Sequence, residues 1–448
     1  MNTHQTAQLL VALGVILVLS QVFGALARWM HQPAVVGEIV LGILAGPTLF
    51  HGGITRVMFP VEIQPLLSAL AMVGVAFFMF IVGLEVDHQL LRGLRAKTGV
   101  IVLGSTTVPF TLGVGAALWL ARDHLPGDRL GYVLFMGTAL SITAFPVLAR
   151  ILDDRGITRT PLGSLALSSA AVGDLIAWTM LAAVVAIAGT GGNPLWRISL
   201  VVPFVLAVFF IGRPVLNRVL GASSMNPPDD QAGSGRILTI VVASLLGAGA
   251  FMEWAGLHYI FGTFLVGAIL PRGANDWIRI QICDRLEQIS RQLLMPVFFV
   301  MAGLQVNLST LGLSGVGALG LILLVAIGGK LGGTMGAARL AGVSTRQSAN
   351  LAVLMNTRGL TELVVLATGV QLGILDHRTY SMMVVMALVT TAMTGPLLDL
   401  LQRPGRNGPV SEKAELSASQ HQELPAPLQT VSTAGGPDLW PRPQVERA

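Results

Sequence analysis

Asp174 stands in a long apolar run, Ser168-Ser169-Ala170-Ala171-Val172-Gly173-Asp174-Leu175-Ile176-Ala177-Trp178, with no other charge for about ten residues on either side. A carboxylate at bilayer depth costs on the order of 2.5–3.5 kcal/mol even on lenient insertion scales, so such residues face a protein interior or a water cavity and mark ion or proton pathways. Lys330 is a second charge of this kind, in Val325-Ala326-Ile327-Gly328-Gly329-Lys330-Leu331-Gly332-Gly333. An isolated acid and an isolated base in apolar sequence point to proton or cation chemistry inside a membrane. The alternative is a buried Asp174–Lys330 salt bridge with no transport role.

The elements that position them must be transmembrane helices. Of 448 residues, 53% are hydrophobic and 11% charged, with a mean hydropathy of +0.72; soluble chains average about 25% charged. The apolar runs are continuous and too long for barrel strands, which alternate. The 52 glycines fit membrane helices whose backbones approach closely. The single cysteine, Cys283, excludes an intrachain disulfide. No basic residue precedes the first apolar run, so a cleaved signal peptide is not expected. The net charge of +5 is explained by loops and tail without nucleic acid.

The chain therefore reads as an all-α polytopic membrane protein of about 13 transmembrane helices. The apolar windows are 7–27, 34–49, 63–83, 99–121, 130–152, 162–189, 195–220, 236–252, 256–271, 289–304, 313–340, 347–371 and 379–401; twelve spans is the alternative. With thirteen, loops on the C-terminal side carry 18 basic residues, among them Arg92, Arg95, Lys97 and Arg346, and the opposite side carries 5, Arg56, Arg122, Arg129, Arg197 and Arg378. The positive-inside rule then predicts an outer N-terminus and a cytoplasmic C-terminus. Residues 1–402 form the membrane domain. The Pro-, Ser- and Gln-rich stretch 403–448 is expected to be a disordered cytoplasmic tail.

Two segments seven windows apart echo each other, Phe78-Met79-Phe80-Ile81-Val82-Gly83-Leu84-Glu85-Val86-Asp87 and Phe298-Phe299-Val300-Met301-Ala302-Gly303-Leu304-Gln305-Val306-Asn307, sharing Phe-x-x-x-x-Gly-Leu-x-Val followed by Asp or Asn. An odd offset reverses direction, which makes this an inverted repeat of the kind secondary transporters use, with a site at the repeat interface near the midplane. The fifth and twelfth windows share the offset, and each carries a helix-breaking polar patch. One is Ser141-Ile142-Thr143-Ala144-Phe145-Pro146, whose proline removes a helical hydrogen bond. The other is Asn356-Thr357-Arg358-Gly359-Leu360-Thr361-Glu362. Irregular backbone at this depth must be buried in protein or face water. Arg358 suits the negative end of a half-helix, and Glu362 lies four residues on, at ion-pair spacing.

These residues resemble the monovalent cation:proton antiporter-2 family, which includes sodium/proton and potassium/proton exchangers. The resemblance covers about residues 8–401. It rests on Val36-Gly37-Glu38-Ile39 through Gly42-Ile43-Leu44-Ala45-Gly46-Pro47, on Gly83-Leu84-Glu85-Val86-Asp87, and on Ser141 through Arg150, Gly173-Asp174 and Asn356 through Gly359. It implies the sodium/proton antiporter fold: a dimerisation or scaffold domain, hence a homodimer, and a six-helix core whose two broken helices cross. It also implies that Asp174 binds the cation or proton and that Lys330 is its basic partner. Many members carry an acid or amide before this aspartate, where Gly173 stands here, so the charge moved per cycle does not carry over.

The expected activity is exchange of Na+ or K+ for protons by alternating access at one buried aspartate, in an inner (plasma) membrane. Hard cations prefer oxygen, so Ser141, Thr143, Ser168, Ser169 and freed carbonyls near the breaks are candidate ligands beside Asp174 and Lys330. Pro146, Asn356, Thr357, Arg358 and Glu362 are expected to support the broken helices. Glu38 near a span start reads as interfacial. The histidines lie near span ends or in loops and the tail, without metal-ligand company. No cofactor, resident metal or enzymatic constellation is expected. The alternatives are a gated potassium efflux pathway and a proton-coupled exporter of organic cations on the same fold.

Overall fold

The computed structural model describes residues 3–30, 32–48, 53–85, 96–121, 129–158, 160–188, 200–221, 231–255, 258–270, 284–309 and 312–402. The tail expected over 403–448, and Val86 and Asp87 of the first repeat segment, lie outside these.

Nearly every described residue is helical. The helices are α1 (Thr3–Trp29), α2 (Ala34–Ala45), α3 (Gly53–Met58), α4 (Gln64–Glu85) and α5 (Ala96–Leu120). Next come α6 (Arg129–Ser141), α7 (Phe145–Asp154) and α8 (Pro161–Ala188). Helix α9 (Val201–Ala207) runs through a π turn into α10 (Arg213–Gly221), followed by α11 (Gln231–Ala255) and α12 (Tyr259–Ile269). The chain ends with α13 (Met295–Leu304), α14 (Gly312–Leu340), α15 (Thr345–Met355), α16 (Leu360–Gln371) and α17 (His377–Gln402).

Among the described residues eight helical segments are long and apolar enough to cross a membrane, one of them spanning α6 and most of α7. The pair α15–α16, bent by 43° at its break, makes a ninth. The shorter apolar helices Ala34–Ala45, Pro203–Leu216 and Tyr259–Ile269 fall in three of the four remaining windows. Exposed Leu10, Val18 and Leu324 show the apolar outer surface that a bilayer requires.

Helix packing divides the bundle. Helices α1, α2, α4, α11, α12 and α13 pack on one another, and α5, α6, α7, α8, α14, α15 and α16 form a second group. The first is called the scaffold here and the second the core bundle. Helix α17 is tied to the core bundle, where Arg155 pairs with Asp399 at 2.7 Å. Among the described residues, close backbone approach lies within a group, while buried apolar side chains of both groups, such as Leu67 and Val300 with Phe135 and Trp178, share one cluster.

Glycines set the scaffold's geometry. A Cβ on Gly37 would overlap the Phe23 carbonyl of α1, and one on Gly42 would overlap the Val300 carbonyl of α13. The second half repeats this: Gly262 abuts the Ala248 carbonyl of α11, and Gly267 the Phe80 carbonyl of α4. Gly83 and Gly303, the aligned pair of the sequence echo, are the opposing partners of Gly267 and Gly42. Each half thus lends its short helix to the other half's repeat segment, with backbones in contact as small residues allow.

Overpacking a filled interior costs about 1–3 kcal/mol. Gly267→Val is expected to lower the thermal unfolding midpoint of the purified protein, while Gly320→Ala, where a Cβ meets nothing within 4 Å, leaves it unchanged. Equal midpoints would show that the close crossing is not needed.

Candidate functional site

A faulty helix is the starting point. Pro109 lies inside α5 and has no N–H, so the Ser105 carbonyl four residues earlier loses its helical donor. Helix α6 stops at Ser141, leaving its last carbonyls without intrahelical partners. In lipid each such group costs several kcal/mol unless the protein supplies a donor.

Lys330 supplies two. Its ammonium donates to the Ser105 carbonyl at 3.0 Å and to the Ser141 carbonyl, and the side chain is 1% exposed. It reaches them because α14 and α5 touch backbone to backbone: Gly333 abuts the Gly104 carbonyl and Gly329 abuts Pro109. Arg358 supplies the rest, donating to the Ala139 carbonyl at 2.8 Å and to the Leu140 carbonyl. Its guanidinium also pairs with Glu362 at 3.2 Å, both side chains fully buried, which is the i,i+4 pair that the sequence spacing predicts. Two cations thus cover the negative end of one half-helix.

The two breaks meet. The Ala144 N–H donates to the Thr357 carbonyl at 3.1 Å, and the Thr143 hydroxyl donates to the Met355 carbonyl at 3.1 Å. Thr391 of α17 fastens the second break, accepting from the Arg358 N–H at 3.0 Å and donating to the Arg358 carbonyl at 2.6 Å. The Thr357 hydroxyl donates to the Leu354 carbonyl. Pro146 occupies the first turn of α7, where its missing N–H is not needed. Helix ends that would otherwise be orphaned are satisfied by the opposite broken helix.

Asp174 lies mid-way along α8, 5% exposed, and lines a cavity of about 330 Å³ together with Val82, Phe145, Thr158, Ser164, Ser168 and Phe264. Val82 and Phe264 belong to the scaffold and the others to the core bundle, so the cavity opens along the seam, at the end where Thr158 and Ser164 precede and begin α8. The Lys330 charge interacts electrostatically with Asp174, Arg358 and Glu362. Two direct hydrogen bonds of its ammonium go to carbonyls.

The other named residues divide. Ser141 donates to the Thr138 carbonyl and Ser168 to the Ser164 carbonyl, so both hydroxyls are held by their own helices. The Ser169 hydroxyl, and both polar side-chain atoms of Asn356, are buried without a hydrogen-bond partner in the protein. Gly173 is not demanded by packing, since a Cβ there would meet nothing within 4 Å. Sequence reasoning missed Ser105, Pro109 and Thr391. The signal for the first two was a proline four residues after a serine in an apolar helix; Thr391 had none.

The sodium/hydrogen exchanger transmembrane family matches residues 14–401. A sodium/proton antiporter, NhaS4 of Synechocystis, is 35% identical over 414 residues, 89% of this chain and 98% of its own. Cation/H+ antiporter 17 of Arabidopsis thaliana is 35% identical over 90% of this chain and 49% of its own. K+/H+ antiporter 1 of Saccharomyces cerevisiae is 30% identical over 83% of this chain and 44% of its own. The chain thus spans about half the length of the plant and yeast relatives. The sodium/proton antiporter MjNhaP1 of Methanocaldococcus jannaschii shares the fold at a TM-score of 0.59 and 14% identity, over 89% of this chain and 99% of that one.

Removing one partner of a buried ion pair costs about 3–5 kcal/mol. Arg358→Met is expected to cause a loss of that size, read from thermal unfolding in detergent, and adding Glu362→Gln should restore part of it. If the double variant is no more stable than the single one, the pair is not what Arg358 serves.

Proposed function

This chain belongs to the sodium/hydrogen exchanger family, and we propose that it exchanges a monovalent cation, Na+ or K+, for protons across the membrane by alternating access at Asp174. One observation carries this reading: a buried carboxylate lining a cavity between two helix groups, beside two broken helices whose ends are internally satisfied. The names of the relatives, sodium/proton and potassium/proton antiporters, agree with it.

The physical cycle is a competition. A proton and a dehydrated cation contend for the Asp174 carboxylate, so loading one displaces the other. Ser169 and Asn356 carry buried oxygens with no protein partner, and Thr143 lies at the crossing, so these are the oxygens nearest in chemistry to a cation's needs. The Lys330 charge acts on Asp174 through space while its hydrogen bonds hold the first break. Arg358, Glu362, Thr357 and Pro146 keep the crossing rigid, so the core bundle moves as a body against the scaffold.

The loop charges support a cytoplasmic C-terminus and an outer N-terminus, which makes the Asp174 cavity face the cytoplasm. We place the chain in the plasma membrane as a homodimer joined through its scaffold, the arrangement that the family resemblance implies. Residues 403–448 are taken as a cytoplasmic tail on composition.

In liposomes with an imposed pH gradient, added Na+ or K+ should collapse the gradient with the parent protein and fail to do so with Asp174→Asn. Exchange by Asp174→Asn at the parent rate would overturn the proposal. Proton-independent current far faster than an exchange cycle would indicate a gated efflux pathway instead.

A further inference from the structure

Alternating access needs one face held shut while the other is open. Counting crossings from the turn before α8, which borders the Asp174 cavity, places the start of α12 on the opposite face. There a hydrogen bond joins scaffold to core bundle: His258, in the turn before α12, meets Gln371 at the end of α16 through Nε2 and Oε1 at 3.0 Å. Nearby, the buried Tyr380 hydroxyl of α17 donates to the Ala302 carbonyl of α13 at 2.9 Å. The space behind the pair is about 50 Å³, against about 330 Å³ on the Asp174 side. Among the described residues the cavity on the outer face is the smaller of the two.

We propose that the His258–Gln371 hydrogen bond is a latch that holds scaffold to core on the outer face, and that protonation of His258 from outside releases it. The two groups meet largely through apolar side chains, so a directional polar contact between them weighs on the balance between the two facing states. His258 is 4% exposed, and its Nδ1 has no partner. A second proton would create a buried N–H with no acceptor on an imidazolium, a cost relieved when the seam opens to water.

The neighbours set the direction of the switch. From α11, the Glu253 carboxylate accepts the Tyr259 N–H at 2.9 Å, and the Tyr259 ring lies 4.4 Å from the imidazole. Helices α4, α13 and α16 contribute Ser68, Gln305, Thr368 and Gln371, none of them charged. Burial holds the His258 imidazole below its ordinary range, while Gln371 and Glu253 pull it back up. A neutral His258 therefore accompanies the latched state, and external acid favours opening. Protons would then help to open the face from which they load. The inference rests on the exchange reading for its purpose, but its test requires no transport.

The test uses the full chain in vesicles, with Cys283→Ser and a reporter Thr368→Cys behind the latch. A membrane-impermeant maleimide is added from the outer face. At pH 8 the reporter should react about five-fold faster with Gln371→Ala than with the parent latch, the population shift that one hydrogen bond supports. Dividing the parent rate by the Gln371→Ala rate at each pH cancels thiol chemistry. That ratio should climb from about one fifth at pH 8 towards one at pH 5.5. His258→Gln, which keeps a donor and cannot titrate, should hold the low ratio throughout. Equal rates at pH 8 would overturn the latch, and a ratio constant with pH would overturn release by protonation. Asp174→Asn exchange measures the other proposal separately.

Discussion

The carbonyl oxygens of Ser105, Ala139, Leu140 and Ser141 accept hydrogen bonds from two side chains, Lys330 and Arg358, with the Ile142 N–H adding a long one of 3.3 Å to Ala139. Without those donors, a proline fault and a half-helix end would stand orphaned at membrane depth, each group costing several kcal/mol. The rest of the core bundle follows from satisfying them. The α5–α14 crossing must be close enough for Lys330 to reach, hence glycine at 104, 329 and 333. Arg358 must point back across the break, hence Thr391 holding its backbone and Glu362 balancing its charge. The two cations are themselves affordable there because carbonyl dipoles surround them.

This concentration of strong interactions inside the core bundle contrasts with the seam against the scaffold. The scaffold is built from glycine contacts between backbones, which fix distances tightly, and it meets the other group through apolar side chains. The result is two helix groups with Asp174 lining a cavity between them. Hydrogen bonds also join the groups, at His258, at Tyr380, at Ser381, whose hydroxyl accepts the Asn307 N–H at 2.9 Å, and at Gln32, which donates to the Ala392 carbonyl at 3.2 Å.

Much of this was legible in the sequence. Charges in apolar runs are costly, so Asp174 and Lys330 announced themselves. Pro146 and the Asn356–Gly359 patch marked the breaks, because proline and polar clusters defeat helix at depth; the helices indeed stop at Ser141 and Met355. The Gly83 and Gly303 echo found the repeat, although its partners Gly42 and Gly267 went unread, since a glycine shows nothing of what faces it. The hydrogen bonds of Lys330 were hidden for a related reason. An acid and a base suggest each other, whereas backbone carbonyls leave no trace in a sequence. His258 looked like any histidine near a span end until Gln371, 113 positions away, came beside it.

The capping of α6 by residues from the other half also bears on how the chain is made. Ser141 and Lys330 are 189 residues apart, and Leu140 and Arg358 are 218 apart. At ribosomal speeds of about 5–20 residues per second, the first half waits on the order of ten to forty seconds with its helix ends bare. During that time water, lipid headgroups or the insertion machinery must shelter them. The core bundle can close only when its last third arrives, so biogenesis has a built-in late step and a truncated chain has no native resting place.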